Sequence, residues 1–330
     1  MSRRILIIKS SSMGDVIHAL PVAYDIKKAF PDCELDWVVE ESFKDIPALS
    51  PFIDRRIVTA FRRWRKHPLS HHTREEFGEL RKTLREAHYD CVIDIQGLLR
   101  TGLVARLSGA ETWGYSKDTI REPLASRFYT HTLAVPESLR PVRRYRTMAS
   151  RVLGYTIDPE APHYGLKVTP VSPVGVTGPY AALAVNTSRA EKLWPQQRWI
   201  EVARELKKDG LQSVLFWGSD AEHERVLEIA SAVEGAVVMP RSNLRSLAQA
   251  IAGAACLAGV DTGLTHLGAA LGVPSVGIIV GTSAELFSLV SEKACATVGD
   301  KGVVPGTIEV LSALHAVMHA GAEESGTPGR

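Results

Sequence analysis

The chain lacks most of the motifs by which enzymes of its size announce their chemistry. No Asp-x-Asp pair occurs, and no His/Cys group has metal-ligand spacing, so a dedicated metal site is not expected. There is no G-x-S-x-G elbow, which argues against a serine hydrolase. Neither G-x-G-x-x-G nor G-x-x-x-x-G-K-[ST] follows the first apolar run, which excludes the usual dinucleotide and P-loop fingerprints there. The four cysteines (Cys33, Cys91, Cys256, Cys295) form no C-x-x-C pair and sit in apolar runs, as small buried hydrophobes of a reducing compartment do. No run approaches the roughly 18 apolar residues of a membrane span. The N-terminal Met-Ser-Arg-Arg leads into only a short apolar run, too little for a secretory signal, so the expected location is the cytoplasm. A net charge of +2 over 330 residues gives no reason to expect a nucleic-acid partner.

What is present is βα alternation. Short apolar runs at 5–9, 35–40 and 91–95 read as buried parallel strands, each followed by a helix-length segment such as 16–30. From 54 to 72 the pattern breaks into Arg-rich sequence, read as a mobile loop or irregular insertion. A proline- and glycine-rich stretch without helical periodicity follows residue 159. The alternation then restarts with runs at 181–185, 213–217, 236–239, 256–260 and 276–280. The expected organisation is α/β with two Rossmann-like halves: a domain over 1–160, a linker over 161–179 and a second domain over 180–330.

The turns after these strands carry the polar chemistry. After the first stands Lys9-Ser-Ser-Ser-Met-Gly-Asp15, where Asp15 reads either as a helix cap or as a base at the carboxyl edge of a parallel sheet. In the second half, Asn186-Thr-Ser-Arg-Ala-Glu-Lys192 offers hydroxyls and cations before a helix, a composition suited to phosphate or simply to a capped loop. In Trp217-Gly-Ser-Asp-Ala-Glu222, Glu222 could accept from ribose hydroxyls or be solvated charge in a first turn. Val260-Asp-Thr-Gly-Leu-Thr-His266 ends a strand and opens a small-residue helix, with Thr262 and His266 one turn apart and Gly263 permitting close approach to its free amides. Phe61-Arg-Arg-Trp-Arg-Lys66 reads as a basic, aromatic loop suited to phosphates, acidic sugars or an anionic membrane, and Arg121 adds a cation nearby in sequence. Arg140-Pro-Val-Arg-Arg-Tyr-Arg146 reads as a solvated helix face.

Taken in order, Lys9-Ser-Ser-Ser-Met-Gly-Asp-Val-Ile-His-Ala-Leu-Pro21, Trp37-Val-Val-Glu-Glu41, Arg62-Arg-Trp-Arg-Lys66, Val92-Ile-Asp-Ile-Gln-Gly97, Arg121-Glu-Pro-Leu-Ala-Ser126, Lys192-Leu-Trp-Pro195 and Val260-Asp-Thr-Gly-Leu-Thr-His-Leu267 resemble the ADP-heptose:lipopolysaccharide heptosyltransferases of glycosyltransferase family 9. The resemblance implies a GT-B fold, two lobes facing across a cleft, with acceptor in the first and nucleotide sugar in the second. It implies inverting transfer of L-glycero-D-manno-heptose from ADP-heptose to a Kdo residue of Kdo2-lipid A, with no metal or other cofactor. By the same likeness Asp15 is the catalytic base. Thr187, Ser188 and Lys192 form the phosphate loop, Glu222 meets ribose and Ser242 lies by the adenine. Asp261, Thr262, Gly263 and His266 hold heptose and diphosphate, while Arg62, Arg63, Lys66 and Arg121 face the acidic acceptor. The Arg-Arg-Trp-Arg-Lys and Arg-Glu-Pro-Leu-Ala-Ser segments favour the branch that adds the first heptose over the branch acting on the next one. A lipid acceptor implies peripheral association with the cytoplasmic face of the inner membrane. The alternative of another class is a two-lobed sugar-nucleotide-binding protein without chemistry. The chain departs from the family pattern at Val280-Gly-Thr-Ser-Ala284, where Gly-Pro-Thr-Asp is common, so the resemblance assigns no donor contact to that turn.

Overall fold

The computed structural model describes residues 3–324. The chain forms two compact units, one up to Gly165 and one from Leu166 onward. The first is built on strands β1 (Arg4–Ile8), β2 (Glu34–Glu40), β3 (Arg55–Thr59), β4 (Cys91–Asp94), β5 (Thr112–Tyr115) and β6 (His131–Leu133). Their spatial order is β3-β2-β1-β4-β5-β6, parallel throughout. Its helices are α1 (Met13–Ala19), α2 (Pro21–Ala29), α3 (Phe61–Lys66), α4 (His71–Glu86), α5 (Leu99–Leu107) and α6 (Pro141–Leu153). Ile5, Leu6, Ile7 and Ile8 are wholly buried, as a central strand covered on both faces must be.

The second unit repeats the plan with β7 (Tyr180–Ala184), β8 (Gln212–Leu215), β9 (Val237–Val238), β10 (Cys256–Val260), β11 (Ser275–Ile278) and β12 (Cys295–Val298), in the order β12-β11-β10-β7-β8-β9. Helices α7 (Gln196–Lys208), α8 (Asp220–Ser231), α9 (Leu244–Ala252), α10 (Gly263–Ala270), α11 (Ala284–Phe287) and α12 (Thr307–Glu324) complete it. Between α6 and β7 the chain forms neither helix nor strand.

In each unit the chain runs outward from its first strand on one side and then returns to add strands on the other. The reversal lies between β1 and β4 in the first unit and between β7 and β10 in the second. Loops at such a reversal diverge and leave a crevice beyond the carboxyl ends of the strands, where ligands of α/β proteins bind. The turns at 9–15 and 186–195 leave β1 and β7, and Asp261–Gly263 leaves β10.

Three expectations fail here for local reasons. The segment at 54–72 is not an irregular loop, because it holds β3 and α3. β3 is an edge strand whose charged head disguises it. Arg55 pairs with Asp36 at 2.7 Å and bonds Tyr89, while Ile57 and Thr59 turn inward. The helix expected over 16–30 is two helices, α1 and α2, broken at Pro21, which has no N–H to continue α1 and sits well at a first helical position. The basic stretch at 140–146 is a solvated face only in part: Arg140 and Arg143 are exposed, but Arg146 is 2% exposed and pairs with Asp25 through two bonds of 2.7 and 3.1 Å.

Candidate active site

In the first unit the turn after β1 is held by β4's own exit loop: the amides of Ser10 and Ser11 both donate to Gln96 Oε1 at 3.0 and 3.1 Å. This fixes Asp15 at N3 of α1, where Ser12 and Asp15 form a reciprocal capping pair. The Asp15 carboxylate accepts from the Ser12 amide (3.1 Å), the Ser12 hydroxyl (2.8 Å) and the Tyr145 hydroxyl (2.9 Å), with Lys9 Nζ 3.7 Å away. About a third of its side chain remains exposed, at 34%. Burial pushes its pKa up, but the Lys9 charge, the Ser12 bonds and nearby His18 outweigh this and hold it well below the usual carboxylate range. The cap and the exposed carboxylate are therefore the same residue.

Cations surround this point. Arg100 donates to Ser11 Oγ at 3.1 Å and lies over the Phe61 ring. Arg144 stacks on Tyr115 with 4.2 Å between the guanidinium carbon and the ring centroid, and donates to the Thr119 carbonyl. Arg121 is exposed and close enough to act electrostatically on Lys9. Of the α3 cations, Arg62 lies over Phe43 and is exposed, as is Lys66. Arg63 is committed elsewhere: it makes a two-pronged bond to Glu76 (2.8 and 2.9 Å) and a third to Glu41 (3.1 Å). Trp64 Nε1 shares Glu76 at 2.7 Å, and these bonds hold the Glu76 carboxyl down to about 2. In this arrangement Arg63 braces α3 against α4. The buried Glu40 carboxylate fixes the other end of α3 by accepting from the amides of Phe61 and Arg62, both at 3.0 Å.

In the second unit, three of the expected residues and one unexpected residue converge on a fourth expected residue, Asp261. Its backbone carbonyl accepts from Thr187 Oγ1 (3.2 Å), and its Oδ2 accepts from Lys192 Nζ and Thr282 Oγ1, both at 2.7 Å. His266 Nε2 stands 3.5 Å from Oδ1. Burial raises the Asp261 pKa, but bonds from His266, Lys192 and Thr282 together take it well below its ordinary value. Thr262 is the N-cap of α10 with no side-chain cap bond, and Gly263 is the first helical residue. Lys192 is brought here by Trp194 two residues on, which is wholly buried, packs edge-on against Trp199 at 5.0 Å and donates to the Pro305 carbonyl. Ser188 lies exposed on the same loop.

Thr282 belongs to the turn to which the resemblance assigns no donor contact. A Cβ on Gly281 would lie 2.5 Å from the Glu191 carbonyl oxygen, so only glycine lets this turn touch the 187–195 loop. The departure from the family's sequence thus keeps a hydroxyl aimed at Asp261. Glu222 Oε2 accepts from the amides of Gly218 (2.7 Å) and Ser219 (3.2 Å) in a capping box opening α8. The Ser242 hydroxyl donates to the Pro240 carbonyl. Lys9, Arg100, Tyr145 and Thr282 were missed as site residues. Lys9 and Arg100 could have been flagged as cations ending or following apolar strands, whereas Tyr145 comes from a helix distant in sequence.

Among the described residues no set of three His, Cys, Asp or Glu gathers as a metal site, and no helix is long and apolar enough to cross a membrane. The signature of glycosyltransferase family 9 (heptosyltransferase) matches residues 77–305. The chain is 40% identical to lipopolysaccharide heptosyltransferase 1 of Pseudomonas aeruginosa, over 83% of this chain and 78% of that protein. It is 37% identical to the Escherichia coli K12 protein of the same name, over 83% and 87%. The solved structure of E. coli heptosyltransferase WaaC with ADP superposes with a TM-score of 0.83 at 34% identity, over 96% of this chain and 98% of that one. The two six-stranded parallel sheets are those of the GT-B class. The chain belongs to glycosyltransferase family 9, the heptosyltransferases.

Proposed function

We propose that this protein transfers L-glycero-D-manno-heptose from ADP-heptose to a Kdo residue of Kdo2-lipid A, in assembly of the lipopolysaccharide inner core. In this reading the unit over 1–160 takes the acceptor, 161–179 links the two, and the unit over 180–330 takes the nucleotide sugar. The relatives' names and the ADP in the WaaC structure support the substrate class. The observation that carries it is the convergence of Thr187, Lys192 and Thr282 on Asp261 beside the start of α10. There a lysine charge and a helix start with no side-chain cap bond suit a diphosphate.

The chemistry follows from these groups. Asp15 takes the proton of the Kdo hydroxyl as its oxygen bonds to the heptose anomeric carbon, from the face opposite the breaking bond to ADP. The electron pair of that bond leaves on the diphosphate. Lys192 and the amides at Gly263 stabilise the new charge in place of a metal. Arg62, Lys66 and Arg121 face the acidic acceptor, and Arg63 keeps the helix that carries the first two in place. Ser188, Thr262 and His266 line the donor side, with Glu222 at the ribose and Ser242 at the adenine. The basic helix α3 and exposed Leu69 beyond it hold the enzyme to the anionic cytoplasmic face of the inner membrane.

Purified protein given ADP-heptose and Kdo2-lipid A should release ADP, with excess EDTA making no difference. Asp15→Ala should slow release by about 10²–10⁴-fold, the usual contribution of a positioned base, while ADP still binds. Release only from an acceptor already carrying one heptose would move the protein to the next transfer. ADP binding with no release from either acceptor would leave a binding protein.

A further inference from the structure

Lys9 is the least explained charge in the first unit. It follows β1 directly, its side chain is 3% exposed, and the transfer chemistry makes no use of it. Its ammonium donates to the Tyr145 hydroxyl at 2.8 Å and lies 4.2 Å from the centre of that ring. The Tyr145 hydroxyl in turn donates to Asp15 Oδ1 at 2.9 Å. Tyr145 is itself 6% exposed on α6. The chain Lys9–Tyr145–Asp15 therefore joins the strand, the last helix of the unit and the carboxylate in one line, buried at Lys9 and Tyr145 and open at Asp15. Burying an ammonium this deeply is costly unless it is paired, and Asp15 at 3.7 Å is the carboxylate that pairs with it.

Building on the proposed role of Asp15 as base, we propose that Lys9 and Tyr145 are its positioning residues: from behind, they orient the carboxylate and keep it charged until it takes the acceptor's proton. Oδ1 is fixed by Tyr145 and Oδ2 by Ser12, so the carboxylate cannot rotate without losing a hydrogen bond. The arrangement trades basicity for readiness. A carboxylate held below its usual range is a weaker base, yet it is ionised and aligned in every molecule at neutral pH. Other charges facing the line are His18 from α1, Asp94 from β4, Arg144 from α6 and Arg121 from the segment after β5. Asp94 is satisfied separately by the Tyr129 hydroxyl at 2.7 Å and the amides of Gln96 and Gly97. Lys9 is thus the cation nearest Asp15, and its removal acts on that carboxylate first.

The test follows the Asp15 carboxyl carbon by NMR against pH in ¹³C-aspartate-labelled full-length protein, with Asp15→Asn for assignment. The acid limb of kcat/KM is measured in parallel for wild type, Lys9→Met and Tyr145→Phe. Loss of an adjacent opposite charge should raise the Asp15 midpoint by about one pH unit or more in Lys9→Met, tenfold or more in proton affinity. Tyr145→Phe should raise it in the same direction. The acid limb should move with the midpoint, kcat should fall, and KM for ADP-heptose should stay as it was. An Asp15 midpoint unmoved in Tyr145→Phe and in folded Lys9→Met overturns the proposal, whatever happens to the rate. Asp15→Ala retaining wild-type turnover overturns instead the assignment of Asp15 as base, and with it the positioning role, even where the midpoints move.

Discussion

Gly281→Ala probes whether the turn after β11 is part of the donor site. The added methyl would stand 2.5 Å from the Glu191 carbonyl oxygen and 2.9 Å from its carbon, where ordinary contact begins at roughly 3.5 Å. The obstacle is backbone, so no rotamer change relieves it, and the two loops must separate by about 1 Å. Thr282, the next residue, bonds Asp261 Oδ2 at 2.7 Å. Adding that separation stretches the bond past the roughly 3.5 Å at which it ceases to count as one. Overpacking of this kind costs about 1–3 kcal/mol, and a hydrogen bond to a charged group contributes about 1.5–3. At about 1.4 kcal/mol per tenfold, ADP affinity should fall by about 10–100-fold. Calorimetric titration with ADP, beside the denaturation midpoint of the same variant, reads both consequences. If affinity stays within about twofold and the midpoint does not move, the two loops do not depend on each other and the reasoning fails.

Asp25→Ala leaves the Arg146 guanidinium buried without its carboxylate, and should cost the first unit about 3–5 kcal/mol in urea unfolding, whereas an exposed pair such as Lys208–Glu205 should matter little. Asp261 has a folded pKa below its unfolded value, so its contribution is present at neutral pH and lost as pH falls from about 4 toward the depressed value. Thr282→Val should therefore raise the pH at which the second unit acid-unfolds, followed by tryptophan fluorescence. Burial raises all four thiols, pushing Cys91 and Cys256 up to about 12, so a thiol reagent at pH 8 should label native protein slowly and urea-unfolded protein at once.

The sequence by itself determined the class of fold, because central parallel strands must be apolar on both faces and so stand out, as residues 5–8 and 256–260 do. It also placed the polar turns, since each follows such a strand. It hid the edge strands β3, β6 and β12, which are short or half exposed and so carry too little apolar pattern. Only the tertiary structure decided which charges act together. Arg62 and Arg63 are neighbours in sequence, yet Arg63 is tied down by Glu76 from another helix while Arg62 stays exposed. Asp15 reads from sequence as a cap or a base, and neighbours as far off as Tyr145 leave it a capped, ionised carboxylate with an exposed face. Apolar periodicity is a local property written along the chain, whereas the partner of a buried charge is chosen by how the elements pack.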